Sequence, residues 1–163
     1  MIIVYTGNGK GKTTAALGLA LRSLGHKNKV TCIHFMKNFA SGESKFENEF
    51  YESYQFGSGN FVVENPVIED LEFANKGFAL AKTKITDCDV LILDEMNMAL
   101  YFKLLEITEV MDFLKSVPEN KTVIVTGRKA MKELIEIADT VTEMKEIKHA
   151  YQKGIKAQKG IEY

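Results

Sequence analysis

Two lysines and three threonines stand among glycines near the start of the chain, a combination of residue types suited to holding phosphate. The stretch covers residues 6–14 and reads Thr-Gly-Asn-Gly-Lys-Gly-Lys-Thr-Thr. Glycines let the backbone approach an anion closely, and successive N–H groups can then point at phosphate oxygens. Lys12 would add a positive charge, and the Thr13 hydroxyl could bind Mg²⁺. The stretch therefore predicts a nucleotide-binding loop made of Gly7, Asn8, Gly9, Lys10, Gly11, Lys12, Thr13 and Thr14.

The stretch departs from the usual pattern G-x-x-x-x-G-K-[ST] at its first position, where Thr6 replaces glycine. A glycine-rich turn with unrelated lysines is the alternative interpretation. The context favours phosphate binding, since an apolar run at residues 1–5 precedes the loop and Leu17, Leu21 and Leu24 follow at helical spacing. A strand, a loop and a helix in this order are what a phosphate-binding loop requires.

A second candidate for chemistry is the pair of carboxylates Asp94 and Glu95, which directly follows the apolar run 90–93. Asp94 could accept a hydrogen bond from Thr13 or from a Mg²⁺-bound water, and Glu95 could reach the ion or the triphosphate. We therefore predict Thr13, Asp94 and Glu95 as the metal site, and Lys12 and Glu95 as catalytic. Two surface acids that merely end a strand are the alternative.

Three basic side chains are further candidates near the ends of predicted strands. Arg128 could position a phosphate or ribose oxygen of ATP, although a solvated arginine after a glycine turn fits equally well. Lys37 could contact a phosphate, but a lone lysine in a loop is more often solvated. His34 lies within an apolar strand, so a hydrogen-bonded core histidine is the favoured interpretation.

The elements that must position these residues alternate between apolar strands and amphipathic helices. Strands are predicted at residues 1–5, 30–35, 51–56, 89–95, 122–125 and 141–147. Helices are predicted from the glycine-rich loop to about residue 24, after residue 65, from about residue 108 to the proline at 118, and around residues 131–138. Residues 37–49 are polar and are predicted to form a mobile loop.

The longest helix is expected to follow the glycine turn at residues 57–60 and the short apolar run at residues 61–63. Asn65 suits an N-cap position, and Pro66 suits the first helical position because its missing N–H is not needed there. The apolar residues with helical spacing in this segment are Ile68, Leu71, Ala74, Phe78, Ala81 and Ile85.

These elements predict an α/β fold with a mostly parallel sheet and helices on both faces, of the P-loop NTPase (RecA-like) type. In such sheets ligands bind beyond the carboxyl ends of the strands, where the loop, Asp94, Glu95 and Arg128 all fall. The 163 residues contain no repeat or linker, so we expect residues 1–163 to form a single nucleotide-binding domain.

Composition excludes several other classes of protein. A net charge of −1 and a pI of about 6.3 argue against a nucleic-acid-binding surface and against a basic membrane-surface helix. The apolar runs are too short to span a bilayer, and nothing in the first residues indicates secretion. Cys32 and Cys88 lie singly in apolar stretches, so we expect buried reduced thiols in a cytoplasmic protein.

The residues themselves lead to a Mg²⁺–ATP-binding protein and leave its reaction open. Hydrolases, kinases and other transferases use the same loop and the same carboxylates. A P-loop ATPase or small-molecule kinase and a non-catalytic ATP-binding regulatory module therefore stand beside any transferase. The phosphorus product released from ATP would distinguish them.

Several motifs resemble those of the ATP:corrinoid adenosyltransferases of cobalamin biosynthesis. They are the loop at residues 6–14 with its Thr6, and residues 34–37, 93–95, 125–128 and 138–144. The tail is the most specific of these motifs. It has Lys148-His149 and then Gly-Ile-Lys-Ala-Gln-Lys-Gly-Ile-Glu-Tyr at residues 154–163. The resemblance covers nearly the whole chain in the same order.

The resemblance implies transfer of the 5′-deoxyadenosyl group of ATP to the Co(I) of a reduced corrinoid, with release of triphosphate. It implies Mg²⁺ as the companion of ATP, and a nucleotide reversed along the loop relative to phosphoryl-transfer enzymes. It also suggests an electron-donor flavoprotein and a homodimeric partner, with no nucleic-acid or membrane partner.

Two departures from the family concern the corrinoid site. Family members often have an N-terminal extension over the active site, whereas this chain begins at its first strand. Relatives typically carry an aromatic pair that includes Trp near the segment 59–62, but this chain has no Trp. Phe61 is therefore the candidate corrinoid-binding residue, with ordinary core packing as the alternative.

Overall fold

Six parallel strands form the centre of the structure, a computed structural model that describes residues 1–58 and 66–163. The strands are β1 (Ile2–Thr6), β2 (Val30–Phe35), β3 (Tyr51–Phe56), β4 (Val90–Asp94), β5 (Thr122–Thr126) and β6 (Thr140–Glu143). Their order across the sheet is β3-β2-β4-β5-β1-β6, and every pairing between them is parallel. The predicted α/β fold with a parallel sheet is confirmed.

Helices cover both faces of this sheet. They are α1 (Lys12–Leu24), α2 (Ile68–Lys84), α3 (Met96–Tyr101), α4 (Ile107–Ser116) and α5 (Lys132–Ile137), with short 3₁₀ helices at Glu43–Lys45 and Ala150–Lys153. Alternate residues of the strands point to opposite faces. Ile3, Ile92 and Ile124 pack with α1, whereas the other face packs with α2, α3, α4 and α5.

The start of α2 differs from the prediction. Pro66 precedes the helix, which begins at Ile68, because the Asp70 carboxylate accepts a hydrogen bond from the Val67 N–H at 2.9 Å. Asp70 also occupies the buried side of the first turn, so Ile68 is 79% exposed and Leu71 is 38% exposed. The predicted helix is confirmed, but these two residues of its apolar spacing are not buried. Asn65 and the run 61–63 lie outside the described residues.

Two other elements also differ from the prediction. The helix α3 was not expected, since six residues are too few to show a helical period. The strand β6 ends at Glu143, four residues earlier than predicted. Its partner β1 ends at Thr6, which pairs with Glu143, so no further strand residues are available for pairing.

Both cysteines are buried and free, as predicted. Within the described part of the chain, no helix combines the length and the apolar character needed to cross a bilayer. The segment 37–49 contains the 3₁₀ helix Glu43–Lys45 and otherwise lacks helix and long strands. Its mobility remains a prediction.

Candidate active site

A cleft of about 1020 Å³ lies at the carboxyl ends of the central strands. Its lining includes residues that follow four different strands, namely Asn8 after β1, Lys37 after β2, Glu95 after β4 and Arg128 after β5. These four strands are neighbours in the sheet, so the polar residues that follow them converge at one edge. Binding sites of open parallel sheets occur at this edge.

The glycine-rich loop joins β1 to α1 and closes one side of the cleft. Gly11 adopts the left-handed conformation, with φ of 115°, and no side chain among the described residues caps the helix that follows. The first N–H groups of α1 therefore remain available to an anion. Lys12 is buried, and its Nζ donates to the Gly9 carbonyl oxygen at 2.8 Å. Burial lowers the pKa of Lys12, and the charge of Glu95 opposes this shift.

Thr6, where the usual pattern has glycine, is the last residue of β1 and has the extended backbone of a strand. A glycine conformation is not needed at this position. The Thr6 side chain has a structural role, because its hydroxyl oxygen accepts a hydrogen bond from the Ala130 N–H at 3.1 Å. The departure from the pattern thus links the loop to the segment after β5.

Asp94 is the most highly connected side chain of the site. Its Oδ1 accepts from the Thr13 hydroxyl at 2.8 Å and from the Thr126 hydroxyl at 2.7 Å. Its Oδ2 pairs with His34 Nδ1 at 2.8 Å, which confirms His34 as a hydrogen-bonded core histidine. Burial alone would raise the pKa of Asp94, but the hydrogen bonds from His34, Thr126 and Thr13 outweigh it and lower the pKa.

Glu95 occupies the sharp turn between β4 and α3. Its φ is 60°, and its N–H donates to the Thr126 hydroxyl at 3.0 Å, so the backbone direction is fixed by β5. Burial and the charge of Asp94 raise the pKa of Glu95, whereas Lys12 and Arg128 oppose the shift. The carboxylate therefore lies among the charged groups that a bound triphosphate would meet.

Much of the remaining lining is apolar or aromatic. It includes Phe35, Met36, Phe39, Met98, Tyr101 and Phe102. The Lys129 Nζ lies 3.7 Å from the centre of the Tyr101 ring, a cation–π contact. The cleft thus joins a charged region at the loop to an apolar, partly aromatic region.

Two of the oxygens predicted to hold Mg²⁺, the Thr13 hydroxyl oxygen and Asp94 Oδ1, lie 2.8 Å apart, and oxygen ligands suit this ion. Mg²⁺ usually takes one or two protein ligands and completes its shell with waters and substrate phosphates. Both Asp94 oxygens already accept hydrogen bonds, which leaves the Thr13 hydroxyl oxygen and the Glu95 carboxylate as the predicted oxygens that could hold the ion, with Asp94 orienting the Thr13 hydroxyl. No cluster of three or more His, Cys, Asp or Glu side chains suited to a metal occurs in the described ranges.

The whole chain, residues 1–163, matches the family of ATP:corrinoid adenosyltransferases BtuR/CobO/CobP. The chain belongs to this family. A corrinoid adenosyltransferase of Pseudomonas aeruginosa is 41% identical over 169 residues, covering 100% of this chain and 83% of the relative. One of Escherichia coli is 38% identical over 167 residues, covering 100% of this chain and 85% of the relative. Corrinoid adenosyltransferase CobA of Salmonella typhimurium is 36% identical over 167 residues, covering 100% of this chain and 85% of the relative.

In this adenosyltransferase-family chain, the structure brings most of the predicted site residues to one cleft. Asn8, Thr13, Asp94, Glu95 and Arg128 line it, and Lys12 is buried in the loop beside it. Thr14 follows Thr13 on α1 and is exposed. Lys10 is also exposed, and its amine contacts the C-terminal tail. Phe61 lies outside the described residues, so its role remains a prediction.

Asn97, on α3, was not among the predicted site residues, but it holds the turn before Arg128 in this adenosyltransferase-family site. Its Nδ2 donates to the Gly127 carbonyl oxygen at 2.9 Å. Gly127 has φ of 128°, and a Cβ there would lie 2.9 Å from the Asn97 Cβ, so the turn before Arg128 needs glycine. Asn97 is the one hydrogen-bonding amide in the apolar run 96–100, and that isolated polarity is the signal that could have indicated it.

The loop also depends on close contact with the end of β6. The Gly9 N–H donates to the Met144 carbonyl oxygen at 2.7 Å, and a Cβ on Gly9 would lie 2.7 Å from that same oxygen. Gly18, on α1, has no atom within 4 Å of its hypothetical Cβ. The two glycines therefore provide a matched pair for substitution.

We predict that Gly9→Ala lowers the free energy of unfolding by about 1–3 kcal/mol, the usual range for overpacking, and weakens ATP binding because the loop must shift. Gly18→Ala should raise the free energy of unfolding by about 0.5–1 kcal/mol, since alanine favours helix, and leave ATP binding unchanged. Urea denaturation and calorimetric titration with ATP measure the two quantities. Equal ATP affinities of the two variants would contradict the prediction.

Proposed function

We propose that this chain transfers the 5′-deoxyadenosyl group of ATP to the Co(I) of a reduced corrinoid and releases triphosphate. What carries the proposal is the match of the whole chain to the adenosyltransferase family, and the structural support is the Thr13–Asp94 hydrogen bond of 2.8 Å. It joins the phosphate-binding loop to the carboxylates at the end of β4, beside an apolar lining, in a chain whose whole length matches the adenosyltransferase family.

The reaction needs no general base. Co(I) supplies an electron pair that forms the Co–C bond to C5′, while the C5′–O bond breaks and its electrons leave with triphosphate. No proton moves in this step. The protein must therefore hold C5′ in line with cobalt and stabilise the negative charge that grows on the leaving group.

The loop is suited to that stabilisation. Lys12 brings a buried positive charge, and the N–H groups that follow Gly11 point from the start of α1. Arg128 is exposed and lines the cleft, and it is proposed to contact the phosphates or the ribose of ATP. We assign Gly7, Asn8, Gly9, Gly11 and Thr14 to the same nucleotide site.

We propose that Mg²⁺ accompanies ATP, held by Thr13 and Glu95 with Asp94 behind them. Bound there, Mg²⁺ would neutralise part of the triphosphate charge. Asp94 keeps the Thr13 hydroxyl directed by accepting its hydrogen, which leaves the Thr13 lone pairs free for the ion. Glu95 contributes charge close to Lys12, and its backbone is fixed by Thr126.

The corrinoid is proposed to lie against the apolar lining of the cleft. A macrocycle of that size requires a broad non-polar surface, which Met36, Met98 and Phe102 provide beside the loop. Phe61 remains the candidate for displacing the lower ligand of cobalt. Losing that donor would make Co(II) easier to reduce to the nucleophilic Co(I).

We further propose a single domain over residues 1–163, a cytoplasmic location, a homodimer, and a flavoprotein that supplies the electron to cobalt. The single domain is supported by two core clusters that share one sheet. The location is supported by two buried free thiols. The homodimer and the flavoprotein rest on the family resemblance alone.

The product released from ATP tests the proposed function. The protein is incubated with ATP, Mg²⁺ and chemically reduced cobalamin, and the corrinoid spectrum and phosphorus products are followed together. Triphosphate formed in step with an adenosylated corrinoid supports the proposal. ADP or phosphate formed without corrinoid would identify an ATPase or kinase, and the absence of any product would favour a binding module.

The first prediction for this reaction concerns Lys12. Lys12→Ala should lower the rate of adenosyl transfer at saturating ATP by about 10²-fold or more, the scale of losing one preorganised charge contact. The matched control is Lys132→Ala on α5, whose side chain is 87% exposed, and it should retain full activity. Circular dichroism checks that both variants fold. Wild-type turnover in Lys12→Ala would remove Lys12 from the catalytic site.

Glu95 carries the second prediction. Glu95→Gln keeps the shape of the side chain but removes its charge, so the Mg²⁺ concentration for half-maximal activity should rise while the KM for the corrinoid stays constant. Glu72→Gln, an exposed glutamate on α2, is the control. If the parent protein converts ATP to ADP robustly and Glu95→Gln abolishes that conversion, Glu95 orients water and the protein is a hydrolase.

A further inference from the structure

The C-terminal tail returns to the phosphate-binding loop. The Lys10 ammonium donates to Glu162 Oε1, and the Ile161 carbonyl oxygen lies 3.5 Å from the same Lys10 Nζ. Lys10 and Glu162 are 152 positions apart in the sequence. The most family-specific motif of the chain thus ends on the loop that is proposed to hold the triphosphate of ATP.

A turn of the tail itself holds the Glu162 carboxylate in place. The other carboxylate oxygen, Oε2, accepts from the Gln158 N–H at 2.7 Å. The N–H groups of Ile161 and Glu162 both donate to the Gln158 carbonyl oxygen, at 3.1 and 2.9 Å. Gly160, with φ of 80°, allows the chain to reverse within this turn. The tail therefore presents one oxygen of Glu162 to Lys10.

The same C-terminal part of the chain contacts the loop at a second place. The Gly9 N–H donates to the Met144 carbonyl oxygen, and the Met144 N–H donates to the Thr6 carbonyl oxygen at 2.8 Å. The chain leaves the loop after Met144 and comes back to it at Glu162. Lys10 lies next to Gly9, so the two contacts fall on adjacent residues of the loop.

We propose that residues 158–163 form a strap, which the Lys10–Glu162 ion pair holds against the phosphate-binding loop. This docking positions the loop for the nucleotide. Lys10 and Glu162 are then positioning residues, and Lys10 acts on ATP through the tail without touching the triphosphate. The inference rests on the proposed function only in assuming that the loop binds ATP.

The size of the effect follows from the exposure of the pair. The side chains of Lys10 and Glu162 are 44% and 31% exposed, so water screens their attraction. Measured effects of exposed ion pairs correspond to changes of at most about fivefold in an equilibrium constant. The proposal therefore predicts a modest change in ATP affinity with a particular pattern among variants, which distinguishes it from a direct phosphate contact.

The first experiment measures the dissociation constant of Mg²⁺–ATP by calorimetry for the full chain, Lys10→Met, Glu162→Gln and the double variant. Each single change and the double change should weaken binding by the same factor, about twofold to fivefold, because each breaks the same pair. Lys10→Arg, which keeps the charge and the reach, should bind ATP as the parent does. Glu146→Gln, an exposed glutamate of the same C-terminal part that contacts Gln152, should have no effect.

Two patterns would overturn the proposal. If Lys10→Met weakens ATP binding and Glu162→Gln does not, Lys10 contacts the triphosphate directly. If Glu162→Gln strengthens ATP binding, the carboxylate competes with phosphate for Lys10 and the tail opposes the nucleotide. The KM for the corrinoid should stay constant in all variants, since the pair acts on the ATP side of the cleft.

A second experiment tests docking without any nucleotide. The chain contains no Trp, so Tyr163→Trp introduces a fluorophore that reports on the tail alone. Its anisotropy should fall when Lys10→Met or Glu162→Gln is added, and not when Glu146→Gln is added. An unchanged anisotropy would overturn the strap. Because this measurement uses no ATP, it separates a failure of docking from a failure of the proposed function.

Discussion

The buried carboxylate of Asp94 is the interaction on which the rest of the site depends. Burying a charged carboxylate is costly unless hydrogen-bond donors replace water. Here the donors come from the start of α1, from β2 and from β5, while Asp94 itself ends β4. Satisfying this one side chain therefore fixes the relative positions of three strands and of the helix that begins at the phosphate-binding loop.

The loop is shaped by close backbone contact as much as by its own glycines. Gly7 has φ of 95°, and a Cβ on it would lie 2.5 Å from the Met144 carbonyl oxygen. The first strand supplies the loop, and the segment after the last strand packs against it. The phosphate-binding loop is usually described as a local motif, but here its shape also depends on a segment about 135 positions further along the chain.

Several residues that line the cleft lie in sharp backbone turns. Met36, Glu95, Lys103 and Lys129 line it, and all four have positive φ values, between 54° and 60°. Such conformations are unfavourable for residues with a Cβ and persist where the surrounding structure holds them. At Glu95 the support is the hydrogen bond to Thr126. The arrangement suits a reaction in which fixed charges stabilise a leaving group.

The sequence by itself determined the alternation of strands and helices, the phosphate-binding loop and the carboxylates at the end of β4. These are local properties, set by hydrophobic period and by the few residue types that permit phosphate to approach. The family resemblance extended the interpretation to the tail. The boundaries of α2 and β6 were less predictable, because Asp70 fixes one and the end of β1 fixes the other.

Only the tertiary structure decided how these pieces meet. Thr13 and Asp94 are 81 positions apart, and Lys10 and Glu162 are 152 positions apart, so no local pattern encodes either contact. The role of Thr6 and the support from Asn97 likewise depend on partners beyond β5, at Ala130 and Gly127. A hydrogen bond between distant residues is set by the packing of the whole sheet, and a single sequence carries no local period or spacing that reveals it.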